Sequence, residues 1–321
     1  MSLREQAARM FMFPISGTML TGDEDAWLRD LKPGGVILVQ HNFGSEEEVR
    51  ALVAAIHATN PELPPLAALD QEGGIVSRIV DDPAPDAPAL GLLPPGEIED
   101  YARLRAETLA QYGFDVNFAP VADVAFSPDS FMSGRTFGSD PAIVAEGVVA
   151  YLAGAGETAV LHCVKHFPGH GRVSVDSHEA LPILTVDKET WIDEDALPFE
   201  AAIDAGAPMV MLGHLVASMW DDRPATLSPE TVRVLREDLE FAGVVVTDDL
   251  FMGALAEWGA FEIIDLAVAA GVDLLLYVGL PDAPDSLVAH LAERVERGSI
   301  APERIAASVE RLLRMQLDRV V

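Results

Sequence analysis

Eight short apolar runs recur along the chain, and stretches with the periodicity of amphipathic helices separate them. Nearly continuous hydrophobicity is typical of parallel strands covered on both faces, so each run is predicted to be a buried strand. Eight strand–helix units within 321 residues, without a break in composition, predict an α/β fold: a (β/α)8 TIM-type barrel that forms a single domain over residues 1–321. The runs are "RMFMFPIS", "GVILV", "LAALDQ", "DVNFAP", "AVLHCVKHF", "MVMLGH", "GVVVTDD" and "DLLLYVG".

An open, doubly wound sheet is the alternative arrangement of alternating strands and helices. It is disfavoured because no Gly-rich dinucleotide fingerprint follows an early strand, and "DQEGG" lacks that spacing. At the other end of the chain, "APERIAASVERLLRMQLDRVV" places Pro302 at a helix N1 position and repeats Ile305, Val309 and Leu312 along one side. We expect a closing helix at about 302–320 that packs against the barrel.

The balance of charge argues against two classes of partner. With 52 acidic and 21 basic residues, the formal net charge is −31 and the isoelectric point is near 4.3. Such a surface repels nucleic-acid phosphates and anionic lipid headgroups, so we expect no nucleic acid and no membrane as partners. No apolar segment approaches the length that crosses a bilayer, and the N-terminus lacks a signal-peptide core. We therefore expect a soluble, cytoplasmic monomer.

One stretch concentrates titratable side chains. "KHFPGHGRVSVDSHEALP", residues 165–182, is interrupted by Pro168 and two nearby glycines, which predicts a loop of the kind that often carries chemistry. Within it, Asp176 and His178 are one residue apart, so an extended backbone places both side chains on one face. A carboxylate bound to one imidazole nitrogen leaves the other free to transfer protons near neutral pH. The alternative is a surface contact without a role.

Several predicted strands end in polar residues. In a barrel, residues at the carboxyl ends of the strands line the rim where active sites form. Asp248 and Asp249 follow the same strand, so alternation allows only one of them to face the barrel mouth. The sequence does not decide which one, and either would also cap the following helix. The other polar strand ends are Asp70, Lys165 with His166, and His214.

Schiff-base chemistry and metal binding are alternative uses of these residues. Lys165 follows an apolar strand, a position compatible with a Schiff base. His166, His170 and His178 have the residue type of metal ligands, but a proline and a glycine between the first two prevent the helical spacing of a zinc site. We therefore expect no metal and no cofactor. Cys163, the single cysteine, lies in an apolar run and is predicted to be a small buried side chain.

Six motifs occur in an order that resembles a known enzyme family. They are "LDQEGGIVSR", "NFAPVADV", "SGRTFG", "KHFPGHG", "DSHEALP" and "VVVTDDLFMGA". Together they resemble the β-N-acetylglucosaminidase (β-hexosaminidase) branch of glycoside hydrolase family 3. The resemblance covers most of the chain, roughly from "GGVILV" to "DLLLYVG". It implies a single-domain barrel that removes a terminal N-acetylglucosamine by a retaining, two-step route without a metal.

The resemblance also implies roles for individual residues. Asp248, the first carboxylate of "DDL", corresponds to the nucleophile of the family. His178 corresponds to the acid/base, with Asp176 as its partner. The implied substrate-binding set consists of Asp70, Arg78, Arg135, Lys165 and His166.

The expected function is therefore that of an exo-β-N-acetylglucosaminidase, which acts through a glycosyl-aspartate intermediate on peptidoglycan-derived muropeptides in cell wall recycling. Alternatives are chitooligosaccharide hydrolysis, phosphorolysis at the same site, and a non-catalytic sugar-binding barrel. The chain departs from the family motifs at Ile75, where Arg is usual, at Arg172, where Asp is usual, and at Val173, where Thr is common. We expect these departures to affect the acceptor site or the loop position.

Overall fold

Eight parallel strands form one closed sheet in the computed structural model, which describes residues 1–279, 281 and 283–318. Each strand pairs with the next, and the last pairs with the first through Leu275 and Phe11. A parallel bridge between Val246 and Leu274 completes the ring. The predicted (β/α)8 barrel is confirmed, and each predicted run contains one strand. The strands are β1 (Phe11–Pro14), β2 (Gly35–Ile37), β3 (Leu66–Leu69), β4 (Val116–Asn117), β5 (Leu161–Phe167), β6 (Met209–Leu212), β7 (Val244–Thr247) and β8 (Leu275–Leu276).

Helices surround the sheet, and the local sequence explains where several of them begin and end. Thr21 and Ser45 start helices with capping boxes, in which Glu24 and Glu48 bond back to the cap residue. Gly113 ends a helix with a φ of 90°, which glycine adopts readily. The α-helices are Leu3–Arg9, Gly22–Leu31, Glu46–His57, Ala87–Leu90, Pro95–Tyr112, Pro141–Ala155, Lys188–Thr190, Leu197–Asp204, Pro229–Arg233, Ala260–Ala270, Pro284–Glu296 and Pro302–Asp318.

Shorter elements complete the connections. A two-stranded parallel sheet, which the sequence did not predict, pairs Ile183–Leu184 with Val216–Ala217. Two helical segments have π geometry, Trp191–Asp195 and Val234–Asp238. Turns of 3-10 helix span Gln40–Asn42, Ala225–Leu227 and Gly253–Leu255. Among the described residues, none of the helices combines the length and hydrophobicity needed to cross a membrane.

Apolar side chains from the strands fill the barrel interior. Met12, Ile37 and Cys163 are fully buried members of this cluster, so the prediction that Cys163 is buried is confirmed. Complete burial of one such side chain contributes ~1.5–3 kcal/mol to stability. Leu312 and Met315, from the last helix, belong to the same cluster.

The last helix closes the amino end of the barrel. It begins at Pro302 as predicted and is described to Asp318, whereas the predicted positions 319–320 lie outside the described residues. The side chain of Gln316 donates a hydrogen bond of 2.8 Å to the carbonyl of Pro64, which precedes β3. The closing helix therefore packs against the amino ends of the barrel strands.

A buried aspartate holds the closing helix to the barrel. Asp273, fully buried before β8, accepts the Val245 amide at 3.0 Å and pairs with Arg236 at 2.6 Å. From the closing helix, Ser308 donates to Asp273 at 2.5 Å and Arg311 lies 3.1 Å away. A buried carboxylate is costly to desolvate, and these partners offset that cost.

Removing this charge should destabilise the barrel. Asp273→Asn leaves the surrounding arginines without a buried anion, so the free energy of unfolding is expected to fall by ~3 kcal/mol or more. Urea unfolding followed by circular dichroism measures the change. Asp30→Asn, which removes one exposed partner of Arg4, is the control and should cost less than ~1 kcal/mol. Equal stability of the two variants would contradict the role of Asp273.

Candidate active site

The carboxyl ends of three strands bring the predicted rim residues together. Asp70 follows β3, Lys165 and His166 lie near the end of β5, and Asp248 follows β7. Parallel strands in a barrel share this end, so residues far apart in sequence meet above the interior. The clearest case is the ion pair between Lys165 and Asp70, at 2.7 Å across 95 positions of the chain.

Four charged side chains form a buried network in this cluster. The Lys165 ammonium lies 2.7 Å from Asp70 and 2.7 Å from Glu72. Arg135 donates two hydrogen bonds to the Glu72 carboxylate, at 2.9 and 2.7 Å. Burial acts to raise the pKa of Glu72, but Lys165 and Arg135 outweigh it and hold the pKa well below its usual range. Glu72 is therefore an anion that fixes both cations in place.

The charge state of Lys165 bears on the Schiff-base alternative. Burial acts to lower the pKa of Lys165, yet the carboxylates of Asp70 and Glu72 hold it above its usual value. A protonated ammonium has no lone pair with which to attack a carbonyl, so this lysine is suited to hydrogen bonding. Sequence reasoning missed Glu72, although the residue lies within the "DQEGG" motif.

Lys165 and His166 both face this cluster although they are consecutive. Regular alternation along a strand would point them to opposite faces. The pairing of β5 with β6 shifts register between Val164 and Phe167, and such an irregularity re-aims the side chains next to it. The strand pattern in the sequence contains no sign of this shift.

A second buried carboxylate orients His166. The Nδ1 atom of His166 lies 2.7 Å from Asp123 Oδ2, and Nε2 lies 3.5 Å from a guanidinium nitrogen of Arg135. Asp123 also accepts the His170 amide at 2.5 Å. Burial acts to raise the pKa of Asp123, but His166 lowers it below its usual value. Sequence reasoning missed Asp123, and its place in the "NFAPVADV" motif was the available signal.

Asp248, and not Asp249, faces the cluster. The Asp249 carboxylate accepts the amides of Phe251 and Val278, at 3.1 and 2.9 Å, so it fixes the backbone around it. The Oδ1 atom of Asp248 accepts the Asp249 amide at 2.8 Å. Burial acts to raise the pKa of Asp248, but nearby histidines, His166 foremost, lower it below its usual value. The sequence left open which of the two aspartates faces the barrel mouth, and the structure assigns this position to Asp248.

His214 is the remaining polar residue that follows a predicted strand, and it contacts the backbone of Asp249. Its Nδ1 lies 2.6 Å from Thr226 Oγ1, and its Nε2 lies 2.8 Å from the Asp249 carbonyl. Burial lowers the pKa of His214 below its usual value. With both nitrogens engaged, its role is to position the backbone that follows β7.

The predicted acid/base pair forms on the loop after β5, residues 168–182, here called the β5 loop. The Nδ1 atom of His178 lies 2.7 Å from Asp176 Oδ1, which also accepts the His178 amide at 2.8 Å. Burial acts to raise the pKa of Asp176, but its hydrogen bonds with His178 lower it overall. The His178 side chain is 63% exposed, so its Nε2 can meet a group that enters from solvent.

The β5 loop contacts the segment that follows Asp248. The amide of Gly253 donates to the His178 carbonyl at 3.0 Å, and the amide of Ala254 donates to the Ser177 carbonyl at 3.1 Å. Only glycine permits this approach, because an added Cβ at position 253 would lie 2.6 Å from the His178 oxygen. The acid/base pair is therefore tied to the chain that leaves β7.

Arg78 contributes an unpaired donor to the site. Its amide donates to the Gln71 side chain at 2.7 Å, which ties the residue to the start of the loop after β3. Its buried Nε has no hydrogen-bond partner within the described part of the chain. A buried donor of this kind is satisfied when a polar ligand binds.

No group of three or more His, Cys, Asp or Glu side chains is arranged to hold a metal ion among the residues that the structure describes. A cavity of about 1150 Å³ lies at the opposite end of the barrel, where His162 and Arg311 contribute to its wall. Its walls come from the amino ends of β5, β6 and β7, whereas active sites of barrels form at the carboxyl ends. We therefore place the candidate active site around Asp248.

The ion network predicts a contribution to stability that depends on pH. Folding lowers the pKa of Glu72, so the stability it provides is present above its unfolded value of ~4.3 and is lost as the pH falls towards the folded value. Glu72→Gln should lower the free energy of unfolding at neutral pH by ~3 kcal/mol or more, because two buried cations lose a shared anion. Below pH ~4.3, the free energy of unfolding of the variant should also fall less steeply with pH than that of the wild type. The difference in slope is up to ~1.4 kcal/mol per pH unit.

Urea unfolding between pH ~3 and ~7 measures both effects. Glu62→Gln, at an exposed position before β3, is the matched control. A Glu72→Gln variant whose stability declines with acid as steeply as that of the wild type would contradict this interpretation.

Comparison with known proteins identifies the family. The model of the glycosyl hydrolase family 3 N terminal domain matches residues 2–315. A β-hexosaminidase of Bordetella avium is 35% identical over 295 residues, which cover 88% of this chain and 83% of the relative. The solved structure of a β-N-acetylhexosaminidase from Beutenbergia cavernae superimposes on this one with a TM-score of 0.90 and 29% sequence identity. The match covers 100% of this chain and 99% of that protein's chain.

A family 3 β-N-acetylglucosaminidase from Paenibacillus has a TM-score of 0.95 and 31% identity over 100% of this chain. This chain spans only 63% of the length of that protein. The family model and the relatives agree with the motifs and with the closed barrel. The chain belongs to glycosyl hydrolase family 3 and is a glycoside hydrolase.

Proposed function

We propose that the chain is a retaining exo-β-N-acetylglucosaminidase in which Asp248 is the nucleophile and His178 the acid/base. The names of the relatives, β-hexosaminidase and β-N-acetylglucosaminidase, support this substrate class. The observation that carries the proposal is the pair of backbone hydrogen bonds, at 3.0 and 3.1 Å, between the β5 loop and residues 253–254. They bring the histidine and the nucleophile to one site from two different strands.

In the first step, the Asp248 carboxylate attacks the anomeric carbon as the bond to the leaving oxygen breaks. Its lowered pKa keeps it ionised, and the Asp249 amide at 2.8 Å fixes the orientation of Oδ1. Oδ2 is then the attacking atom. A positive charge develops on the sugar ring in the transition state, and the carboxylate below the ring stabilises it before the covalent bond forms.

The leaving oxygen needs a proton in the same step. His178 supplies it from Nε2, while Asp176 at 2.7 Å from Nδ1 stabilises the imidazolium that exists before the transfer. In the second step, the neutral imidazole takes a proton from water, the water oxygen bonds to the anomeric carbon, and Asp248 leaves. Two displacements retain the β configuration.

The buried network offers the contacts for the terminal sugar. Charged groups that are held rigidly lose little entropy when they bind a hydroxyl group. The buried Nε of Arg78, without a partner in the described chain, is available to donate to the sugar. The proposed substrate-binding set remains Asp70, Arg78, Arg135, Lys165 and His166, with Glu72 and Asp123 holding the cations and the imidazole in place.

The proposed physiological substrate is a peptidoglycan-derived muropeptide with a terminal N-acetylglucosamine, cleaved in the cytoplasm during cell wall recycling. The bacterial sources of the relatives support this choice. We propose that the protein acts as a monomer on a carbohydrate alone, without a metal or an organic cofactor.

Loss of the nucleophile should abolish turnover. Asp248→Ala is expected to lower kcat for 4-nitrophenyl N-acetyl-β-glucosaminide by at least ~10³-fold, because no covalent intermediate can form. Asp129→Ala, at an exposed position of the loop after β4, is the control. Release of nitrophenol is measured with and without EDTA, and binding of N-acetylglucosamine by calorimetry. A wild-type protein that binds the sugar but releases no nitrophenol would support the non-catalytic barrel instead.

The acceptor of the second step distinguishes hydrolysis from phosphorolysis. We expect free N-acetylglucosamine as the product even with phosphate present, since the second step uses water. Nuclear magnetic resonance of the products, from a muropeptide and from a chitooligosaccharide in parallel, identifies both the acceptor and the preferred substrate. Accumulation of the sugar 1-phosphate would contradict hydrolysis, and faster cleavage of the chitooligosaccharide would contradict the proposed substrate.

A further inference from the structure

We propose that Arg172 is a positioning residue for the acid/base, and that it anchors the β5 loop on the amino-terminal side of Asp176 and His178. The inference rests on the proposed function, because it concerns how His178 reaches the leaving group. Arg172 precedes Asp176 by four positions and His178 by six.

Arg172 joins three separate parts of the rim. Its Nε lies 2.7 Å from the Asp195 carboxylate, and its Nη2 pairs with Glu194. Both carboxylates lie on the helical segment Trp191–Asp195. On its other side, the guanidinium lies 3.7 Å from the centre of the Phe126 ring, on the loop after β4. One side chain thus fixes the β5 loop to both of its neighbours.

The ion pair of Arg172 with Asp195 is better shielded from solvent than an ordinary surface ion pair. The Asp195 side chain is only 2% exposed and that of Arg172 is 20% exposed, so solvent screens the pair weakly. Two charge-assisted hydrogen bonds and a cation–π contact act on the same planar group, which resists rotation and sliding. Removing the arginine would also leave Asp195 buried without this partner.

Beyond Arg172, the β5 loop is attached at the next residue and again at Ser177 and His178. The Val173 carbonyl accepts the amide of Phe131 at 3.2 Å, and the carbonyls of Ser177 and His178 accept the amides of Ala254 and Gly253. Residues 174–176 lie between these attachments, and Ser174 and Val175 are exposed. Arg172 and Val173 therefore fix the start of a short span that leads to His178, and the length of this span limits how far the imidazole can move.

A misplaced acid affects substrates unequally. General acid catalysis contributes ~10²–10⁴-fold to the rate when the leaving group is a poor one. A leaving group that is already a weak base, such as 2,4-dinitrophenolate, departs without a proton. Loss of the anchor should therefore lower kcat/KM, which reports the first step, for a poor leaving group and leave kcat/KM for the dinitrophenyl substrate nearly unchanged. Simple loss of folded protein would lower both rates by the same factor.

The test compares kcat and KM of wild type, Arg172→Ala and Arg172→Lys for chitobiose and for 2,4-dinitrophenyl N-acetyl-β-glucosaminide. We expect Arg172→Ala to lower kcat/KM for chitobiose by ~10–100-fold, part of the contribution of the acid, with less than ~3-fold loss of kcat/KM for the dinitrophenyl substrate. Arg172→Lys keeps the charge but lacks the planar fork, so an intermediate loss is expected. Arg233→Ala, which removes a partner of Glu230 and Asp238, is the control and should leave both rates unchanged.

The outcomes separate this inference from the proposed function. Equal loss on both substrates, or wild-type rates on both, would overturn the role of Arg172 while leaving the enzyme assignment intact. A wild type that cleaves neither substrate would overturn the proposed function and the inference with it. If Arg172→Ala does not fold, the selective loss in Arg172→Lys decides the question in the same way.

Discussion

The buried carboxylate of Glu72 is the constraint on which the rest of the site depends. It lies 2.7 Å from both Lys165 and Arg135, which come from β5 and from the loop after β4. A buried anion costs several kcal/mol to desolvate, so it persists only while both cations remain in place. The cations in turn are held at the carboxyl end of the barrel, where we propose that they bind the sugar. The same requirement for charge balance therefore stabilises the barrel mouth and organises the site.

The two proposed reacting groups differ in how firmly the fold holds them. Asp248 directly follows the barrel strand β7, and His166 is the main group that lowers its pKa against the effect of burial. His178 lies on a loop with its side chain 63% exposed, and backbone hydrogen bonds attach that loop to residues 253–254. A firmly held carboxylate and a more exposed imidazole are compatible with the proposed roles of nucleophile and acid.

The two ends of the barrel have different roles: the amino end contributes to stability, and the carboxyl end holds the candidate active site. At the amino end, Asp273 and its arginines attach the closing helix, far from the proposed reaction. At the carboxyl end, a second set of buried ion pairs surrounds the strand ends that carry polar side chains. Barrels generally separate the two functions in this way, because the loops at one end can vary while the other end packs.

The sequence by itself determined the eight strands, the closing helix at Pro302 and the motifs of the family, because hydrophobic runs, helix starts and short motifs are local properties of the chain. It also named most of the charged residues of the site. Only the tertiary structure decided that Asp248 faces the site and Asp249 holds the backbone, and that Glu72 and Asp123 support the binding residues. It likewise decided that Arg172 holds the β5 loop. These assignments depend on distances between side chains that are far apart in sequence, on burial, and on a register shift in β5, none of which leaves a local pattern.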